Sequence, residues 1–135
     1  MKRLFSVLVL MLLLSGLLTA AAPMPQTTFT LVQGLPETMI VGEKITVIVD
    51  VTSDQPFLSA QAMPSFYYPG KGVVAVQGGD HAGSGTAARL EITFQAKSST
   101  AKMEGGVAPV HAVIGLRYPG GYTAVQDYVF YVTVP

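Results

Sequence analysis

The stretch from residue 86 to residue 97 reads Thr-Ala-Ala-Arg-Leu-Glu-Ile-Thr-Phe-Gln-Ala-Lys. From position 88 onward, the even positions are all apolar and the odd positions between them are all charged or polar. A period of two places every apolar side chain on one face, which is typical of a half-buried antiparallel strand. The chain is therefore expected to build a sheet with one face in a core.

Residues 44–52 repeat this alternation, with Ile45, Val47, Val49 and Val51 on the inner face. Ile48 is apolar on the outer face, so we interpret that strand as partly covered. Shorter β-rich runs predict further strands at residues 28–32, 37–40, 58–66, 73–77, 110–118 and 125–134, of which 37–40 is the weakest. Pro64 restricts its position in the third of these runs to an edge or a bulge.

Glycine and proline separate these runs, and no segment after residue 22 has a sustained helical period. Turns or loops are predicted at residues 34–36, 53–56, 68–72, 78–85, 105–106 and 119–121. The two Pro-Gly pairs, at 69–70 and 119–120, suit the centre of a type II turn. About seven antiparallel strands need a second sheet to cover their apolar faces, so the prediction is an all-β sandwich, with a small closed barrel as the alternative.

The chain has 135 residues and no cysteine, so one domain must be stable without disulfides. We expect a signal peptide over residues 1–22, a flexible lead-in over 23–27, and a sandwich domain over 28–135. The segment Val41-Gly42-Glu43-Lys44 leads directly into a strand, and Leu116-Arg117-Tyr118 precedes a turn and the last strand. This pattern resembles the immunoglobulin-like domains of bacterial secreted, surface-layer and cell-adhesion-related proteins, over about residues 28–134.

The resemblance implies an immunoglobulin-like fold and brings no active site with it. The chain differs from antibody-type domains because it has neither a cysteine pair nor a tryptophan.

The N-terminus has the three parts of a secretory signal peptide. A basic start, Met1-Lys2-Arg3, precedes an apolar run over residues 4–18 and the small residues Ala20, Ala21 and Ala22. The run of about 15 residues is shorter than the roughly 20 that a spanning helix needs, although an uncleaved anchor remains the alternative. Pro23 disfavours cleavage after Ala22, so we expect the cut after Ala20 or Ala21. The protein is therefore predicted to be exported, to the periplasm or outside the cell.

Charge and composition argue against several classes of function. Eight basic and eight acidic residues give a formal net charge of zero, and loss of Lys2 and Arg3 would leave 6 − 8 = −2. The absence of a basic cluster after residue 22 argues against nucleic-acid binding. We find no nucleophile–base pair and no phosphate loop, so we expect no enzyme activity and no cofactor. Without a cysteine, a blue-copper centre and a lipid anchor of the bacterial lipoprotein type are both excluded.

Two small groups of side chains are candidate ligand sites. His81 lies in a glycine-rich stretch and could bind a metal ion with His111 and Met103, but these fall short of a standard donor set. Tyr67, Tyr68 and Tyr122 are candidates for stacking on sugar rings, because alternation should leave at least one aromatic side chain exposed.

Three functional hypotheses follow. The first is a non-enzymatic interaction module or accessory subunit at the cell envelope, which binds a protein partner by strand addition at an exposed edge such as the last strand. The second is a carbohydrate-binding module that uses the exposed tyrosines. The third is a periplasmic metal-binding protein. Membrane association is expected only through an uncleaved signal segment.

Overall fold

The structure, a computed structural model, describes residues 23–63 and 67–135 as two antiparallel sheets packed face to face. The predicted all-β sandwich is therefore confirmed, and the described residues form no closed barrel. The predicted signal peptide, with Ala20, Ala21 and Ala22, lies outside the described residues, as does the segment 64–66. No helix in the described part of the chain has the length and apolar character to cross a membrane.

Eight strands and three short 3-10 helices make up the described chain. The strands are β1 (Thr27–Gln33), β2 (Lys44–Phe57), β3 (Ser59–Ala62), β4 (Val74–Gly79), β5 (His81–Ala82), β6 (Gly85–Ala96), β7 (Ala108–Arg117) and β8 (Thr123–Val132). The 3-10 helices are Pro69–Gly72, Glu104–Gly106 and Pro119–Gly121. Seven of the eight predicted segments correspond to strands, and the two-residue β5 was not predicted.

The strand order is β1-β2-β6-β4 in the first sheet and β5-β3-β7-β8 in the second. Without the two-residue β5, this is the arrangement of a constant-type immunoglobulin domain, with four strands A-B-E-D facing three strands C-F-G. The last two strands, β7 and β8, then correspond to F and G. The last strand of the chain is consequently an edge strand of the second sheet.

The core lies between the two sheets and is built by the alternation that the sequence shows. Leu90, Ile92 and Phe94 of β6 are at most 2% exposed. They meet the buried even-numbered residues of β7, among them Ile114 and Leu116, which are also nearly inaccessible. Burial of one such side chain stabilises the fold by roughly 1.5–3 kcal/mol, so the two central strands anchor the sandwich.

Two predicted loops are wrong, because tertiary pairing extends strands through them. Residues 53–56 lie inside β2, whose ladder with β6 is interrupted after Thr52 and resumes at Phe57. Residues 78–85 include the end of β4, all of β5 and the start of β6. Asp80 holds this stretch to β6, since its carboxylate accepts a hydrogen bond from the Glu91 N–H at 3.0 Å and its own N–H donates to the Glu91 carbonyl at 2.9 Å.

The two Pro-Gly pairs differ in backbone conformation. Gly120 has φ +84° and ψ +6°, as the third residue of a type II turn requires. Gly70 does not have a positive φ and belongs instead to the 3-10 helix Pro69–Gly72, so the predicted type II turn there is wrong. This helix packs closely on β7, and a side chain at Gly70 would collide with the carbonyl oxygen of Pro109.

The weakest predicted strand, residues 37–40, forms a single parallel bridge between Thr38 and Thr133 instead. Its backbone is tied to the end of the chain, because Met39 N–H donates to the Thr133 carbonyl at 3.0 Å and Thr133 N–H donates to the Glu37 carbonyl at 2.8 Å. Met39 is completely buried. This segment therefore covers the edge of the second sheet just beyond the end of β8.

Strand β1 begins at Thr27, one residue earlier than predicted. The residues before it are hydrogen-bonded to the end of β2. Gln26 N–H donates to the Asp54 carboxylate at 2.8 Å, and the Gln55 side-chain amide donates to the Pro23 carbonyl at 2.7 Å. The start of the described chain is thus held against the sandwich.

The alternation in β6 predicts very different costs for neighbouring substitutions. Leu90→Ala removes a fully buried side chain and should lower the free energy of unfolding by about 2–5 kcal/mol. Glu91→Ala removes an exposed side chain from the same strand and should change it by about 0.5 kcal/mol or less. Urea denaturation of both variants measures the difference, and equal losses would contradict the assigned faces.

Candidate functional site

The pairing of β7 with β8 is the longest uninterrupted ladder at an edge of the sandwich. It runs through consecutive pairs from Ala108 with Val132 to Arg117 with Thr123 and has no register shift. The other edge strands are less regular. Strand β5 has two residues, and the ladders of β1 and β4 each contain a shift. Because bulges and short strands discourage pairing with another chain, β8 is the edge best suited to accept one.

The register also decides which backbone groups of β8 point away from the sheet. Val113 of β7 accepts a hydrogen bond from Met63 N–H at 3.0 Å, so its backbone groups point away from β8. Val113 lies opposite Asp127, and directly opposed residues of an antiparallel pair either both face each other or both face away. Asp127 therefore directs its N–H and C=O outward.

The outward direction recurs at every second residue. Thr133 provides an independent check, since it lies six residues beyond Asp127 and bonds outward to Glu37 and Met39. Five residues of β8 share the outward direction, beginning with Thr123 at the start of the strand. We call the other four the free edge: Val125, Asp127, Val129 and Tyr131. Within residues 23–63 and 67–135, their outward groups take part in one hydrogen bond, from the Gln126 side-chain amide to the Asp127 carbonyl at 3.3 Å.

The side chains of the free edge form an exposed apolar row with one charge. Val125 is 58% exposed, Val129 41% and Tyr131 65%. The residues between them face the core but are only half-buried, including Tyr128 and Phe130. The apolar side chains and the unpaired peptide groups of β8 are therefore accessible at the same edge.

Asp127 and His111 form a cross-strand pair beside the free edge. His111 Nδ1 lies 2.8 Å and 3.0 Å from the two Asp127 carboxylate oxygens. On its other side the imidazole ring packs on Tyr68, at a centroid distance of 5.5 Å. The contacts hold the Asp127 carboxylate on the outer face of the sheet, where 38% of the side chain stays exposed.

Tyr68 is a packing residue and offers no surface to a ligand, so the prediction that it stacks on sugar rings is wrong. It is 2% exposed, and its hydroxyl donates to the Val74 carbonyl at 3.0 Å. Burial disfavours the charged phenolate and raises the pKa of Tyr68 to about 12. Alternation sends its neighbour the opposite way, and Tyr67 is 80% exposed. Carbohydrate stacking on Tyr67 stays a prediction.

Tyr122 is half-buried and packs its ring on Tyr118 at a centroid distance of 5.6 Å. The Tyr118 hydroxyl in turn lies 2.6 Å from Thr27 Oγ1 and donates to Ser53 Oγ at 2.7 Å. Tyr122 also lines an open groove of about 390 Å³ between residues 24–27 and the start of β8. Tyr122 therefore packs beside the hydrogen bonds by which Tyr118 joins the two sheets at one end of the sandwich.

The three candidate metal ligands lie apart. His81 is opposite Gln61, which is opposite Gly115 of β7, and His111 lies four residues further along that strand. From strand geometry, this puts the two histidines about 13 Å apart along the strands and about 10 Å across them. Met103 packs against the core instead. No group of three or more His, Cys, Asp or Glu side chains suited to a metal ion occurs in the described residues.

A small pocket of about 300 Å³ adjoins the free edge at Tyr131. Its lining is mostly apolar and comprises Pro69, Met103, Glu104, Val107, Pro109 and Tyr131. It extends the apolar outer surface of the second sheet beyond the edge strand itself.

The outer face of the first sheet has a different chemistry. Thr46 and Thr93 share a hydroxyl hydrogen bond at 2.9 Å, and Arg89 pairs with Asp50 at 2.8 Å. The hydrogen-bonded guanidinium lowers the pKa of the Asp50 carboxyl. These polar and charged groups satisfy one another, whereas the outer face of β8 exposes valine and tyrosine. The exposed apolar residues Leu31 and Val32 of the first sheet lie in β1, whose ladder is irregular.

Sequence reasoning did not single out Val125, Asp127 or Val129 as functional residues. The signal that could have found them is the alternation of β8 combined with its place as the last strand. No family model matches the chain, and none of the curated proteins compared with it does either. The geometry of the free edge is therefore the feature of the molecule that bears on function.

Hydrogen exchange should alternate along β8, because only every second N–H is bonded to β7. The amides of Val125, Asp127, Val129 and Tyr131 should exchange at least about tenfold faster than those of Ala124, Gln126, Tyr128 and Phe130. Two-dimensional NMR in D₂O measures both sets, and the central strand β6, which is paired on both sides, is the internal control. Uniform protection along β8 would show that something else pairs with this edge.

Proposed function

We propose that this protein is an exported, non-enzymatic interaction module or accessory subunit that binds a protein partner at the cell envelope. The partner contributes an extended segment, which adds to the second sheet as a new strand next to β8. The observation that supports this most strongly is the free edge, where unpaired peptide groups and exposed apolar side chains coincide on the only long edge strand without a register shift in the described chain.

Main-chain pairing supplies affinity in this mode of recognition. Each of the four free-edge residues offers an N–H and a C=O, and each hydrogen bond formed contributes a net of about 0.5–1.5 kcal/mol. A long edge with these groups unpaired is a liability for a secreted protein that has no use for it. Binding a segment of a partner would satisfy these groups.

Side-chain burial supplies the remaining affinity. Tyr128 and Phe130 face inward from β8 but stay partly exposed, because no strand lies beyond them in the described chain. Apolar residues of an added strand would cover these rings from the open side of the sandwich. On the outer face, the same strand would pack beside Val125, Val129 and Tyr131, with about 25 cal/mol gained for each Å² of apolar surface removed from water.

The cellular location rests on the predicted signal peptide over residues 1–22, and the type of module on the resemblance to bacterial secreted immunoglobulin-like domains. Both support a role outside the cytoplasm, in which the domain holds or is held by another envelope protein. A sandwich that exposes apolar side chains, aromatic rings and unpaired peptide groups is suited to binding other proteins.

Selection from a phage-displayed library of nine-residue segments tests strand addition directly. The target is a chain of residues 23–135, which contains every strand and core residue described above. We expect selected segments to alternate β-branched or aromatic residues, as paired strands do. Failure to select any segment that binds at this edge would contradict the proposal.

Val129→Pro is the decisive variant for the selected segments. Proline removes an outward N–H and places its ring where the partner would lie, yet it leaves the β7 ladder intact because Val129 does not bond toward β7. Affinity, measured by fluorescence polarisation with a labelled segment, should fall at least about tenfold from loss of a bond and from the clash. Val129→Thr keeps the backbone and should change it less than about threefold. Equal binding by wild type and Val129→Pro would refute strand addition.

A further inference from the structure

We infer that the free edge selects a particular kind of strand: an almost continuously apolar segment with one lysine or arginine that lies opposite Asp127. The inference rests on the proposed function, since it specifies the partner for the same edge. It follows from the position, exposure and contacts of one carboxylate.

Asp127 is the only charged residue of β8 and lies near the middle of its outer face. Its side chain lies on the outer face of the sheet and is 38% exposed. His111 approaches the carboxylate from the β7 side, which leaves the opposite side facing the position of an added strand. An ionised carboxylate has about four acceptor sites, so it can hold the imidazole and also accept from an incoming ammonium or guanidinium group.

The neighbours of Asp127 determine the rest of the pattern. Val125 and Val129 lie two residues away on the same face, and Tyr131 lies two residues further. In a paired strand, the residues directly opposite these are also on the outer face, so apolar side chains are favoured there. The alternate residues of the incoming strand face inward, where they would cover Tyr128 and Phe130. Only the position opposite Asp127 favours a charge.

A second copy of this chain is a poor occupant for the same reason. A two-fold antiparallel pairing that used every outward-bonding residue of β8, from Thr123 to Tyr131, would be centred on Asp127. It would place the two carboxylates directly opposite each other, and like charges in that position are destabilising. Shifting the register to avoid this shortens the pairing, because the edge beyond Tyr131 is already bonded to residues 37–39. A single charge in an adhesive edge thus acts against self-association and favours a basic partner strand.

The test uses the nine-residue segment that binds most tightly in the selection described above. Lysine or glutamate is placed in turn at each segment position whose side chain would lie on the outer face of the sheet. For the wild-type chain, lysine should be preferred over glutamate by about five- to tenfold at one position and by less than about twofold at the others. Fluorescence polarisation at low salt gives each affinity, and the preference should weaken at high ionic strength because the pair lies at the surface.

Substitution of Asp127 provides the matched control. Asp127→Lys should reverse the preference at that one position, while Asp127→Asn should abolish it. Equal lysine and glutamate affinities at every position, or a preference that survives Asp127→Asn, would overturn the inference.

Two outcomes distinguish a failure of this inference from a failure of the proposed function. Segments that lose affinity with Val129→Pro but show no charge preference would leave strand addition intact and remove only the assigned partner chemistry. Segments that bind the Val129→Pro variant as tightly as the wild type would contradict both strand addition and the assigned partner chemistry.

Discussion

The ladder between β7 and β8 is the interaction on which the proposed binding surface depends. Val113 is bonded on its far side to Met63, and this settles the direction of each peptide group across the last two strands. Because antiparallel pairing alternates strictly, one half of the β8 peptide groups must point away from the sheet. The same alternation puts Val125, Val129 and Tyr131 on the outer face and Asp127 among them. Backbone and side chains thus become available together at one edge.

The rest of the sandwich limits how this edge can be used. The segment 37–39 closes it beyond Tyr131 through hydrogen bonds to Thr133, and the pocket beside Tyr131 extends the apolar surface at that end. The outer face of the first sheet is polar and internally paired, as the Asp50–Arg89 ion pair illustrates. Strand β8 therefore combines a regular ladder with an exposed apolar row, and this combination is the basis of the proposal that it pairs with one extended segment.

The local pattern of residues predicts the strands well and the edges poorly. Residues 86–97 and 44–52 alternate so regularly that their strands and inner faces could be read directly from the sequence. Residues 53–56 and 78–85 resemble loops because Pro, Gly and Asp dominate them, yet distant pairing, such as that of Asp80 with Glu91, makes most of them strands. Burial of Tyr68 and exposure of β8 depend on which strands become neighbours, and that order arises from contacts far apart in sequence.

Self-association of an Asp127→Val variant tests most directly whether β8 is an adhesive edge guarded by one carboxylate. The substitution removes the charge and adds a β-branched apolar residue to the row formed by Val125 and Val129. Sedimentation equilibrium of residues 23–135 should show a monomer for the wild type and a concentration-dependent dimer for the variant, and the dimer should be abolished when Val129→Pro is added. A variant that stays monomeric at the same concentrations, or a wild type that dimerises equally well, would contradict the account.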